Sequence, residues 1–286
     1  MINMSEACGS CPSASNCTTK TCPSQPEKTK AQEASNIKNI IAIMSGKGGV
    51  GKSSVTSMLA VSLRRKGYNV GILDADITGP SIPKIFGLHG KADANETGLL
   101  PVETQQGIKV MSLNLLLPNE DDPVIWRGPI INQLVRQFWT DVVWGELDYL
   151  LVDLPPGTGD VPITVMQSLP VSGIVIVTSP QQLAGMIVRK AINMVKKYGA
   201  PIYGLVENMA YVTCSHCEER LEIFGKPRGE EEANKNEIPY LGQLPIDPVL
   251  ATMADLGKVE DYVSESFDRV AQRLAEEIEG AKSNQG

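Results

Sequence analysis

Short apolar runs, most of them closed by glycine, proline or a carboxylate, alternate along this chain with longer segments whose apolar residues recur every three or four positions. The runs Ile40–Ile43, Tyr68–Leu73, Ile108–Leu117, Tyr149–Asp153, Gly173–Thr178, Ile202–Val206 and Tyr240–Leu244 read as buried strands. Between them, Val55–Arg65 has a helical period. So does a segment opened by Trp126-Arg127-Gly128-Pro129, with Ile130, Leu134, Phe138 and Val142 on one face. Gln181–Tyr198 turns Leu183, Ile187, Ala191, Met194 and Val195 inward, and a last helix carries Val263, Phe267, Val270, Leu274 and Ile278. Strands and helices in alternation predict an α/β fold, a mostly parallel sheet flanked by helices.

Residues 1–36 lie outside this pattern. They are polar, and a segment with so little apolar surface cannot offset the entropy of ordering by burial, so a flexible tail is expected there. The folded domain is expected over 37–280, and 281–286 as a disordered end. Residues 87–123, rich in turn signals around one apolar run, read as an insertion.

The 286 residues carry a net charge of −7, which opposes nonspecific nucleic-acid binding because phosphate backbones need basic stripes. No positive-then-apolar leader opens the chain, and no run approaches the roughly 20 apolar residues of a membrane span. A cytoplasmic protein is expected, without nucleic acid or membrane as partner. In that compartment six cysteines favour metal or redox chemistry over structural disulfides.

The most informative stretch is Met44–Ser54, MSGKGGVGKSS, set between a strand and a helix. Gly46, Gly51, Lys52 and Ser53 fit the phosphate-binding P-loop pattern G-x-x-x-x-G-K-[ST]. Across Gly46, Lys47, Gly48, Gly49, Val50, Gly51, Lys52, Ser53 and Ser54, backbone N–H groups are free to turn toward phosphate oxygens where side chains would block them. Lys52 is expected at the β- and γ-phosphates and Ser53 on Mg²⁺. The strand-end carboxylates Asp74 and Asp76 are assigned to the Mg²⁺ shell and to orienting the attacking water. Asp153, at the end of an apolar strand, is expected to hold Mg²⁺ through water. The Pro/Gly loop Leu154–Asp160 beside it is a candidate switch ordered by the γ-phosphate. Asn208 presents both a donor and an acceptor, as an adenine edge requires, or else caps a turn. Arg127 fits a phosphate, a partner subunit or a surface cap.

Two groups of cysteines remain. Cys8, Cys11, Cys17 and Cys22 are spaced C-x2-C-x5-C-x4-C, a pattern open to a cluster, to zinc or to nothing. Cys214-Ser215-His216-Cys217 supplies two thiolates, half of a four-ligand site. The other half falls to the tail cysteines, to His216 or to a second copy of the chain. A redox pair is the alternative, although that chemistry wants its C-x-x-C at the start of a helix.

In order, GKGGVGKS, LDADITGPS, WRGP, DLPPGTGD, ENM and CSHC resemble the Mrp/Nbp35/ApbC family of P-loop ATPases, iron–sulfur cluster carriers with a deviant, MinD-like phosphate loop. The resemblance implies a homodimer that binds ATP and Mg²⁺. It also implies a labile [4Fe–4S] cluster shared between the Cys214 and Cys217 pairs of two chains, then passed to apo-proteins. It makes Lys47 a lysine that reaches the partner's nucleotide, Asp76 the hydrolytic aspartate and Asn208 the adenine reader. Cys22 departs from it, since cysteine-rich tails of the family place the distant cysteine upstream of the triplet. Rival readings are a spatial organiser of the MinD/ParA type, a zinc-stabilised ATPase and a nitrogenase-like electron donor.

Overall fold

The computed structural model describes residues 28–76, 79, 81–117, 128–180 and 184–283, leaving out the side chains at 128, 129, 131 and 184–187. Cys8, Cys11, Cys17, Cys22 and Arg127 lie outside the described residues.

Strand β2 (Ile40–Ser45), preceded by α1 (Lys30–Glu33) and β1 (Asn36–Ile37), is buried along its whole length. Its side chains alternate between two cores. Ile41 and Ile43 enter one face, Ile40, Ala42 and Met44 the other, as the two-residue strand period requires. Buried on both faces, such a strand reads as an unbroken apolar run, which is why β2, β3 (Val70–Asp74), β7 (Tyr149–Asp153) and β8 (Gly173–Thr178) were visible in the sequence.

Among the described residues the main sheet has nine strands, in the order β10-β9-β8-β2-β7-β3-β5-β4, with β11 also paired to β9. Here β4 is Val102–Glu103, β5 Lys109–Ser112, β9 Ile202–Thr213, β10 Arg220–Leu221 and β11 Tyr240–Pro245. The pairings along β5-β3-β7-β2-β8-β9-β11 are all parallel. A short strand β6 (Glu146–Leu147) pairs with β1 apart from it.

One face is covered by α2 (Lys52–Arg65) and α9 (Glu265–Ser283), whose Phe267, Val270, Leu274 and Ile278 are buried in the same core as Val55, Met58 and Leu59. The other is covered by α4 (Gly128–Thr140), α5 (Asp160–Ser168) and α6 (Ala184–Lys197), through Phe138, Val165 and Ile192. The remaining helices are α3 (Ile82–Ile85), α7 (Gly229–Lys235) and α8 (Pro248–Asp255). No described helix is long and apolar enough to cross a membrane.

Several expectations change. Residues 87–117 are not an insertion, because β5 pairs in parallel with β3 and extends the main sheet. The run from Ile108 to Leu117 is a strand only to Ser112, then one 3₁₀ turn at Leu113–Leu115. Ile130 is half exposed rather than inward, since the face of α4 that packs is set by Val135 and Phe138. The start expected at 37 falls inside ordered chain. Thr29 caps α1, Ala31 is buried, and Ser35 Oγ accepts from Trp144 N at 2.9 Å. The C-terminal boundary at 281 likewise falls within α9.

Candidate nucleotide and cysteine sites

The phosphate loop leaves the carboxyl end of β2 and enters α2 at Lys52, three residues before the apolar period predicts. Gly51 precedes the helix with φ 73, a left-handed conformation that glycine takes without a Cβ clash. A Cβ there would also stand 2.4 Å from Asn208 Nδ2. Ser45 and residues 47–54 line one wall of a cavity of about 510 Å³, and Asp76 faces into it. Of the predicted loop, Gly46 is not among the lining residues. Pro156, in the candidate switch, closes the cavity's side and comes near Gly48, whose added Cβ would meet Pro156 Cγ at 3.8 Å. Gly157 N donates to Ser45 O at 2.9 Å, so the candidate switch is tied to the strand that carries the phosphate loop.

Beneath the cavity floor lies a buried polar cluster. Lys52 Nζ is 2.8 Å from Asp153 Oδ2, with 6% and 0% of the two side chains exposed. Ser53 Oγ donates to Asp153 Oδ2 at 2.6 Å, and Thr56 Oγ1 donates to Asp153 Oδ1 at 2.8 Å. Asp74 stands beside Asp153 in register across β3 and β7. It accepts from Asp76 N at 3.2 Å, Ile82 N at 3.3 Å and Ser112 Oγ at 3.3 Å. Burial, and then the charge of Asp153, push its carboxyl up to about 8. Two carboxylates, a serine hydroxyl and one lysine form an oxygen-rich, acid-weighted set that suits Mg²⁺.

Asn208 is not among the residues lining this cavity. Its Nδ2 donates to Val50 O at 2.9 Å, bracing the phosphate loop from behind. It sits inside β9, a strand of 12 residues that runs past the predicted end at Val206. The pattern breaks there because Met209 is left-handed, φ 57, and the register against β11 shifts between Gln243 and Pro245.

The same strand ends at Thr213, and Cys214 follows it. Glu218 N donates to Cys214 O at 3.0 Å and Cys214 N to Glu219 O at 2.9 Å, closing a turn between antiparallel β9 and β10. The cysteines therefore cap a hairpin and do not open a helix, unlike a thioredoxin-type pair. Both thiols are free, Cys217 exposed and Cys214 half-buried. N–H groups of His216 and Cys217 aimed at Cys214 lower its thiol below the ordinary range. Among the described residues no three His, Cys, Asp or Glu side chains are grouped as metal ligands.

Sequence reasoning missed Thr56, Ser81, Lys84 and the α8 residues Ala251, Ala254 and Asp255. Thr56 lies one helical turn beyond Ser53, a spacing that could have suggested it. Ser81 closes the LDADITGPS motif, while no local signal marks Lys84 or the α8 residues.

A parallel sheet with a glycine loop at the end of a central strand and a lysine–carboxylate cluster beneath it defines a P-loop NTPase. Residues 36–279 match the ParA family described as NUBPL iron-transfer P-loop NTPase. The iron–sulfur cluster carrier proteins of Clostridium perfringens and Methanocaldococcus jannaschii are each 44% identical to this chain. The first match covers 91% of this chain and 95% of the relative, the second 99% and 100%. A nucleotide-binding protein from Archaeoglobus fulgidus, solved in complex with ADP, is 49% identical, with a TM-score of 0.73 over 81% of this chain and 91% of that one. The MinD cell division protein of Aquifex aeolicus, 22% identical over 83% of this chain and 97% of its own, shares the fold with a TM-score of 0.59. The chain belongs to the iron–sulfur cluster carrier family of P-loop NTPases.

Proposed function

We propose that this protein binds and hydrolyses ATP with Mg²⁺ and carries a labile [4Fe–4S] cluster, its cargo, at the interface of a homodimer, delivering it to apo-proteins in the cytoplasm. In this reading Lys52 and the loop N–H groups hold the phosphates, and Ser53, Asp153 and Asp74 hold Mg²⁺. Asp76 orients water, and Lys47 reaches across to the partner's nucleotide. The observation that carries the reading is the Cys214–Cys217 hairpin: two free thiols on one turn, with no third ligand grouped beside them among the described residues. A cluster of this kind takes four thiolates, and two copies supply four. The cargo named for the 44% identical relatives supports the same conclusion.

The test uses full-length protein with Cys8, Cys11, Cys17 and Cys22 changed to serine, reconstituted anaerobically with iron and sulfide. The expected product is brown, with about four irons per two chains. It should restore activity to an apo-enzyme and lose its iron on Cys214→Ala. A colourless protein that retains only zinc would overturn the carrier reading.

A further inference from the structure

The wall of the nucleotide cavity away from the phosphate loop is built by two short helices, α3 with Lys84, Ile85 and the Ser81 that precedes it, and α8 with Ala251, Ala254 and Asp255. They are far apart in sequence and tied to different parts of the fold. The start of α3 is fixed to the carboxylate cluster, since Ile82 N donates to Asp74 Oδ2 at 3.3 Å. Helix α8 has no fully buried residue; half-buried Leu250, Met253 and Ala254 rest on the core, and Asp247 caps its start by accepting from Val249 N at 2.8 Å.

The two helices meet at their carboxyl ends. Gly87 and Gly257 each follow a helix in left-handed conformation, φ 64 and 69, and their backbones touch. A Cβ on Gly257 would lie 2.5 Å from Gly87 Cα and 2.8 Å from its N, and one on Gly87 would lie 2.7 Å from Gly257 O. The obstructing atoms are main chain on both sides, so no side chain can swing away to make room. A helix needs at most one left-handed residue to end it, and that need does not require two such residues to touch.

We infer that Gly87 and Gly257 are positioning residues for the nucleotide. Their contact joins α3 to α8, so the far wall of the cavity moves as one piece with the carboxylate cluster at Asp74. The inference rests on the nucleotide reading of the cavity. Substitution at either glycine separates the helices and moves Lys84 and Asp255 relative to the phosphate loop, leaving the loop itself intact.

The experiment measures binding of a fluorescent ATP analogue with Mg²⁺ to the full chain, alongside thermal melting, for wild type, Gly257→Ala and Gly199→Ala. Gly199 is the matched control. It ends α6 with φ 71, and an added Cβ would meet nothing within 4 Å, so its variant carries the left-handed strain without the clash. Gly257→Ala is expected to weaken binding on the order of 10-fold or more, as misplaced binding groups do, with Gly199→Ala at wild-type affinity. Wild-type affinity in Gly257→Ala, or an equal loss in Gly199→Ala, would overturn the inference and leave the nucleotide site standing. Wild type that binds no ATP analogue would overturn the nucleotide reading itself. If Gly257→Ala does not fold, hydrogen exchange on wild type decides. Mg²⁺–ATP should slow exchange in α3 and α8 together, and slowing in α3 with α8 unchanged rejects the coupling.

Discussion

Asp74 and Asp153 stand opposite each other in register at the carboxyl ends of β3 and β7, both buried, with Lys52 bonded to Asp153. The pair concentrates negative charge where solvent cannot disperse it, and the cost falls on Asp74, held up to about 8 against an ordinary 3.8. The folded protein therefore binds a proton there that the unfolded chain releases, across the window between those two values. Asp74's own contribution to stability falls as pH rises through that window, the reverse of a salt-bridged carboxylate. Calorimetry without metal should show the melting temperature declining from about pH 5 to about pH 8. Asp74→Asn should flatten the decline, and Mg²⁺ should raise the melting temperature more at the alkaline end. A flat metal-free profile in wild type would contradict the buried pair.

Lys52→Ala should cut ATP turnover by roughly two orders of magnitude or more, because it removes the ammonium proposed to hold the phosphates and leaves Asp153 buried without its ion pair. Lys47 lines the cavity and is exposed. Lys47→Ala should keep ATP binding within a few-fold and lose turnover, the signature of an interaction made only in the transition state. Equal loss of binding and turnover would place Lys47 in its own chain's site.

Cys214 has its thiolate stabilised by two turn N–H groups. A lowered thiol pKa means the reactive form accumulates at lower pH, so alkylation of Cys214 should reach its plateau below the pH at which a free-cysteine peptide does. Mass spectrometry of partially alkylated cluster-free protein resolves the site, and a profile matching the peptide would count against the turn geometry.

Asn208→Ala should lower stability by about 1–2 kcal/mol, since it removes the bond to Val50 and strands a carbonyl behind the phosphate loop. Melting of nucleotide-free protein measures this. Comparing ATP with GTP affinity in the same variant tests the adenine assignment separately. Unchanged melting with lost discrimination would assign Asn208 to the base alone.

The sequence by itself determined whatever depends on neighbours along the chain. Strands buried on both faces must be continuously apolar, so β2, β3, β7 and β8 announced themselves. The glycine loop was legible because its lysine and serine need fixed spacing at a helix start. The C-x-x-C was legible for the same reason, two thiols on one turn.

Contacts between distant segments were decided by the tertiary structure. The register that sets Asp74 against Asp153 comes from β3 pairing with β7, some eighty residues away. Strand β5 joined the main sheet, although its turn-rich surroundings suggested an insertion, because the edge beside β3 offered unpaired backbone groups. Asn208 went to the back of the phosphate loop beside a left-handed Met209, a conformation no residue pattern predicts. The far wall of the cavity depends on Gly87 meeting Gly257. Each looks like an ordinary helix-ending glycine, and only packing brings their backbones close enough for the missing Cβ to matter.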